Sequence, residues 1–237
     1  MTNEEFSNEF TTLLNSYSRS GEFGEESSKA DVVLDEYEKS LFLTQAQEAL
    51  VITLYNGRNP LNESFEQTEQ LRRYLANLVR EDTLEPDSSL TLGMPGKGSY
   101  FFSLDPRLWF ITYESVTISN EGSCNDGSIL DVIPVTQDEY NRVKRNPFRG
   151  ANNRRALRLD LSNNVIEVKC KYPVQNYYVR YVKYPAPIIL EDLPDGLTIN
   201  GESMMSECEL HEALHRQILE RAVLLALQSR GAIKKEE

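Results

Sequence analysis

The sequence predicts an α+β fold: an N-terminal helical segment, a central antiparallel sheet and a long C-terminal helix. Three observations carry this. Apolar residues recur at helical spacing through most of residues 1–83. From Tyr100 to Val135 the chain becomes rich in aromatic and β-branched residues, and strand patterns continue to Tyr184. From Glu207 to Leu227 the helical period returns, with Leu210, Leu214, Ile218, Ala222 and Leu225 as one stripe. Helices, then strands, then a helix indicate α+β.

The elements follow in order. Phe6, Phe10, Leu13, Leu14 and Tyr17 predict an amphipathic helix over residues 3–18. Residues 19–30 are polar and glycine-bearing and read as a mobile linker. Residues 31–39 read as a helical piece, and the capping-box pattern Thr44-Gln45-Ala46-Gln47 predicts a helix start that runs to Tyr55, with Asn56-Gly57 as its stop. Asn62 or Ser64 is expected to cap a further helix carrying Leu71, Leu75, Leu78 and Val79.

Trp109–Ile118 reads as a strand, Asn120–Gly127 as a turn and Ile129–Val135 as the returning strand. Thr136-Gln137-Asp138-Glu139 predicts a short helix ending before Pro147. Leu157, Leu159 and Leu161 alternate with Arg158 and Asp160, which predicts a half-exposed strand. After a turn at Ser162-Asn163-Asn164, Ile166, Val168 and Cys170 alternate with Glu167, Lys169 and Lys171. Tyr177–Tyr184 is a further strand, and short connections predict antiparallel pairing. Four tyrosines, Tyr177, Tyr178, Tyr181 and Tyr184, cannot all face one core, so some are expected to meet a partner. The expected organisation is residues 1–30, 31–83, 84–202 and 203–237 within a single structural unit.

Composition excludes several classes. With 40% hydrophobic and 26% charged residues the chain can build a core. No apolar run approaches the ~20 residues that span a bilayer, so no membrane partner is expected, and the acidic start lacks a secretory pattern. Cys124, Cys170 and Cys208 are odd in number and scattered, which suits synthesis in a reducing cytoplasm. A net charge of −12 argues against gripping nucleic acid; on charge alone it suits solubility, although a channel wall that repels phosphate would also let DNA slide.

Three patterns invite chemistry. His211-Glu212-x-x-His215 is the zinc signature of metalloproteases, with two ligands four residues apart on a helix and Glu212 as general base. A catalytic zinc site needs a third protein ligand. The chain has only these two histidines, Glu220 rides the same helix, and Cys208 completes no common catalytic set. The expectation is a surface histidine pair, no enzyme, no metal and no cofactor, with a zinc hydrolase as the alternative. Gly93-Met-Pro-Gly-Lys-Gly-Ser99 lacks phosphate-loop spacing, and Tyr-Phe-Phe rather than a helix follows it; it reads as a loop. Residues 142–158 carry Arg142, Lys144, Arg145, Arg149, Arg154, Arg155 and Arg158. Residues 1–40 carry ten acids against three bases. Unlike faces of this kind suit head-to-tail contact between copies; a solvated loop with local ion pairs and a nucleic-acid site are the alternatives. The basic residues, with Tyr178 and Tyr181, are the candidate subunit interface.

Several longer motifs resemble a known family. Asp35-Glu-Tyr-Glu-Lys-Ser-Leu-Phe-Leu-Thr-Gln-Ala-Gln-Glu-Ala-Leu-Val51 and Tyr55-Asn-Gly-Arg58 are similar to the N-terminal signature of structural proteins of crAss-like phages. Trp109–Ser115, Asn146-Pro-Phe-Arg-Gly150, Arg154–Asp160, Ile189–Ile199 and Cys208–Val223 extend the resemblance over most of residues 31–230. The C-terminal helix is also similar to those of podophage head-to-tail adaptor proteins. The resemblance implies a ring-forming virion protein of the portal–tail region, made in the host bacterial cytoplasm. It implies a dodecameric ring as self-partner, contacts with the portal and with other tail or neck rings, and a lumen through which genomic DNA passes without sequence-specific binding. It brings no catalytic residue. A non-ring virion role, as cargo or fibre attachment, is the further alternative.

Overall fold

The computed structural model describes residues 1–19, 33–57, 65, 67–90, 98–120, 122, 126–194 and 196–229. It is α+β, with helices at both ends of the chain and seven strands between them. The chain divides into two compact units, Met1–Leu78 with Pro185–Glu237, and Val79–Tyr184.

The first unit is helical. α1 (Asn3–Arg19) buries Phe6, Phe10 and Leu14 at helical spacing, as the sequence predicts. α2 spans Glu36–Tyr55 as one uninterrupted helix. Its capping box is Asp35 with Glu38, not Thr44 with Gln47: Asp35 Oδ1 accepts the Glu38 N–H at 2.7 Å and Glu38 returns the bond. Asn56 and a left-handed Gly57 end the helix at the expected place. α3 (Glu69–Leu75) is capped by Thr68; the expected caps Asn62 and Ser64 lie outside the described residues. A single 3₁₀ turn, Ala76–Leu78, follows, and Val79 already belongs to a strand rather than to a helix.

Thr44 and Gln47 have another task. Ser40, Thr44 and Gln47 lie on one face of α2 and are buried, and the extended segment after Pro185 runs along them. Ser40 Oγ accepts from Leu190 N (3.0 Å), Thr44 Oγ1 accepts from Ile188 N (3.1 Å), and Gln47 Nε2 donates to Ala186 O (2.8 Å). The helix thus satisfies backbone groups at Ala186, Ile188 and Leu190. α5 (His215–Ser229) packs on α1 and α2 through Ile218, Leu219, Ala222, Val223 and Ala226, all buried.

The second unit is a seven-stranded sheet. Its strands are β1 (Val79–Leu84), β2 (Ser99–Ser103), β3 (Leu108–Ile118), β4 (Ile129–Pro134), β5 (Arg155–Asp160), β6 (Val165–Lys169) and β7 (Val174–Lys183). Their order is β1-β7-β3-β4-β5-β6-β2. Asp87 N donates to Phe101 O (2.9 Å), so the chain beyond β1 meets β2 and the sheet curls on itself. Alternate residues fill the inside, among them Phe102, Val116, Leu130, Ile166, Tyr177 and Val179.

Pairing is antiparallel except at one place. β4 and β5 are parallel, with Asp131 opposite Arg155. The crossover between them contains α4 (Gln137–Lys144), long enough to reverse the chain. Thr136 takes the N-cap conformation, but its hydroxyl makes no bond to the helix backbone. It serves the Asp138 carboxylate, whose pKa this hydrogen bond lowers.

α4 also explains why β5 and β6 are not half-exposed. Tyr140 and Val143 cover Leu157 and Leu159 from outside, while Ala156, Ile166 and Val168 face the inner core. Both faces are therefore buried, and Arg158, Glu167 and Lys169 are buried with them. Glu167 and Lys169 form an ion pair, and Lys169 Nζ lies 5.5 Å from the Tyr140 ring centre. The turn between β5 and β6 uses two left-handed asparagines, Asn163 (φ 58°) and Asn164 (φ 57°).

Candidate assembly surfaces

The zinc pattern does not sit on a helical face. His211 is an extended N-cap residue (ψ 138°), Glu212–Leu214 is a 3₁₀ turn, and the α-helix begins at His215. His211 Nδ1 accepts the Ala213 N–H at 3.2 Å. His215 is buried rather than on the surface. Its Nε2 donates to Leu210 O (3.1 Å), and the Met1 amine lies 2.9 Å from its Nδ1. Both ring nitrogens are engaged. Burial holds the imidazole pKa below its usual value, favouring the neutral form. Among the described residues no three His, Cys, Asp or Glu side chains form a ligand set. Cys208 Sγ lies 3.3 Å from Gln47 Oε1, and burial pushes its thiol up to about 11. The phosphate-like loop lies mostly outside the described residues, as does the linker expected over residues 19–30 apart from Arg19, which ends α1.

The basic stretch divides. Arg142, Lys144, Arg145, Arg149 and Arg154 are exposed, and Arg155 is half-buried, donating to Phe148 O (2.9 Å). Arg142 pairs with Glu139 at 2.6 Å, and Lys144 leans over the Tyr140 ring. Arg158 turns inward. Its Nη1 donates to Glu114 Oε1 (2.9 Å), and Tyr177 donates to Glu114 Oε2 (2.8 Å). Burial pushes the Glu114 carboxyl up, against the pull of Arg158. Tyr181 is also buried, its hydroxyl donating to Asp82 (2.8 Å). Arg158 and Tyr181, both among the candidate interface residues, are thus buried within the subunit. Tyr178 remains on the outer face of the sheet, half-exposed, with its ring 5.9 Å from that of Tyr113.

The structure also shows surface residues that sequence reasoning missed. Phe148 is 85% exposed at the end of the α4 crossover. Met204 and Met205 are 74% and 60% exposed in the first unit. Phe148 stands in Asn146-Pro147-Phe148-Arg149-Gly150, turn chemistry in which no periodicity predicts burial. That context was the available signal for an outward-facing ring.

The structure presents charged and apolar exposed groups on firm loops. Among the described residues it gathers no catalytic constellation. A family model described as phage tail ring protein 3/4 matches residues 1–237, and the chain belongs to that family. It is 50% identical over 234 residues to "Ring protein 3" of Bacteroides phage crAss001, covering 97% of this chain and 96% of that protein. It is 30% identical over 235 residues to "Ring protein 4/5" of the same phage, covering 95% and 92%. The resemblance read from the motifs holds over nearly the whole chain, in a family of structural ring proteins rather than enzymes. Among the described residues no helix is long and apolar enough to cross a membrane.

Proposed function

We propose that this chain forms a ring in the portal–tail region of a short-tailed phage, acting as a connector between neighbouring rings. Twelve copies match the symmetry of the portal on which such adaptors dock. The acidic balance of −12 suits a lumen that lets DNA slide without holding it. Partners are its own copies, the portal and other tail rings. Both crAss001 relatives carry ring names over more than nine-tenths of their length, which supports this reading.

The observation that carries it is the segregation of charge. Arg142, Lys144, Arg145, Arg149 and Arg154 are exposed on one crossover of an otherwise acidic chain. A closed ring needs a heterologous contact between two unlike faces, and this crossover, with Tyr178, is one of them. The zinc-hydrolase reading has no geometry to rest on, because His211 and His215 do not share a helical face.

The test is cryo-EM of assembled particles together with Arg145→Glu/Arg149→Glu/Arg154→Glu. The variant is expected to keep its circular dichroism spectrum and to fail to enter particles. Normal incorporation, with these arginines facing solvent, would show the charge argument to be wrong. Finding the chain outside any ring would remove the connector reading itself.

A further inference from the structure

We infer that Phe148 is a knob that inserts, in a neighbouring copy of this chain, against the methionine surface formed by Met204 and Met205. The inference rests on the ring reading above and adds the complementary face.

The knob is built rigidly. Phe148 N donates to Asn146 Oδ1 (2.9 Å), Arg149 N and Gly150 N both donate to Asn146 O, and the Arg155 guanidinium holds Phe148 O. Gly150 permits this tight turn, since a Cβ there would stand 3.0 Å from Asn146 O. A phenylalanine held 85% in water by four backbone restraints has not simply failed to find the core. Its ring is displayed, and preorganisation of this kind lowers the ordering cost of binding.

The acceptor is equally firm. Residues 189–194 and 196–206 run back along one another like a hairpin. Ile189 and Ser206 exchange two backbone bonds, Leu193 N donates to Ser203 O (2.8 Å), and Asn200 (φ 52°) with Gly201 (φ 87°) makes the tight turn. Asp192 Oδ1 accepts the Met205 N–H at 2.7 Å. Methionine packs adaptably on aromatic rings.

Charge selects the pairing. Residues 191–209 contain six acids and no lysine or arginine, whereas Phe148 is flanked by Arg145, Arg149 and Arg154. Glu202 is exposed two residues before Met204, and the exposed Glu191 precedes Asp192, whose carboxylate accepts the Met205 N–H. An aromatic ring among arginines and two methionines among carboxylates are complementary in both apolar and electrostatic terms. This complementarity between two exposed surfaces of the same sequence assigns a second copy as the partner.

The test replaces Phe148 by benzoylphenylalanine in the full-length chain, supplied during infection in place of the wild-type protein. Irradiation of purified particles is expected to join position 148 of one copy to Met204 or Met205 of another, read by peptide mass spectrometry. Phe148→Ser is expected to weaken self-association about tenfold or more, as loss of a central aromatic anchor does, with an unchanged circular dichroism spectrum. Phe148→Met should retain most of it. Cross-links to another protein, to another part of this chain, or to nothing would overturn the inference while leaving the ring intact in micrographs. Particles with no ring of this chain would instead sink the reading beneath it.

Discussion

Glu114 and Arg158 sit 2.9 Å apart within the curled sheet, beside Tyr177 and Val116. A buried pair is weak evidence for stability, because both ions give up hydration. Removing one partner is a different matter. Arg158→Met is expected to destabilise the protein by about 3–5 kcal/mol at neutral pH, since it leaves a buried carboxylate uncompensated. The loss should shrink in acid. Burial already raises the Glu114 pKa above its ordinary value. The folded state then binds the proton more tightly than the unfolded state, and the stability this brings is lost as pH rises through the folded pKa. Without Arg158 that pKa rises further, so the deficit against wild type grows from acid to neutral pH. Urea unfolding at several pH values measures it, and a pH-independent deficit would contradict the account. The alternation of Leu157, Arg158 and Leu159 is plain in the sequence, and it correctly predicts a strand. It does not reveal that α4 covers one face while the inner core covers the other. Arg158 consequently reads as surface charge although it lies inside. Tyr181 likewise reads outward, but it lies in the inner core with its hydroxyl bonded to Asp82.

At the scale of elements, α2 shows how a polar stripe can be misread. Thr44-Gln45-Ala46-Gln47 has the letters of a capping box, yet it lies mid-helix because Asp35 and Glu38 already supply one. Local pattern cannot distinguish a cap from a polar face that serves a distant backbone. The bonds from Ser40, Thr44 and Gln47 to residues 186–190 join positions more than 130 apart in sequence. Thr44→Val keeps the shape and removes the acceptor for Ile188 N–H, itself in a buried segment. The expected cost is about 1–3 kcal/mol, visible as a lower urea midpoint with an unchanged slope. Thr44→Ser should recover most of it, and equal losses in both variants would point to packing instead. The β4–β5 crossover was legible as strand, helix and strand, but its parallel sense was not: antiparallel pairing was expected from short connections, and α4 lengthens this one enough for a parallel return. The exposed hairpin of residues 189–206 carried its own signal in Asn200-Gly201, a two-residue turn between short extended pieces.

At the scale of the molecule, helical and sheet units each have their own core, and the surfaces argued to meet between copies belong to different units. The family was readable from several long motifs, whereas the Phe148 and Met204 surfaces were not, because sequence alone does not say which apolar residues stay in water. Two forces of different salt sensitivity would then hold neighbours together. Exposed arginines facing carboxylates are screened as the Debye length falls from about 10 Å at 0.1 M salt to about 3 Å at 1 M. An aromatic ring on methionine is not. Self-association of the full chain is expected to weaken about tenfold or more across that range, from the loss of several exposed pairs, but not to vanish. The Arg145→Glu/Arg149→Glu/Arg154→Glu variant should associate weakly at low salt and recover partly at high salt, because screening also relieves the new repulsion. Phe148→Ser should keep the salt dependence and lose the residue left at high salt. Sedimentation velocity at a series of salt concentrations separates these outcomes. Wild-type association that strengthens with salt would mean that the contact is apolar throughout and that the arginines face something other than a neighbouring copy.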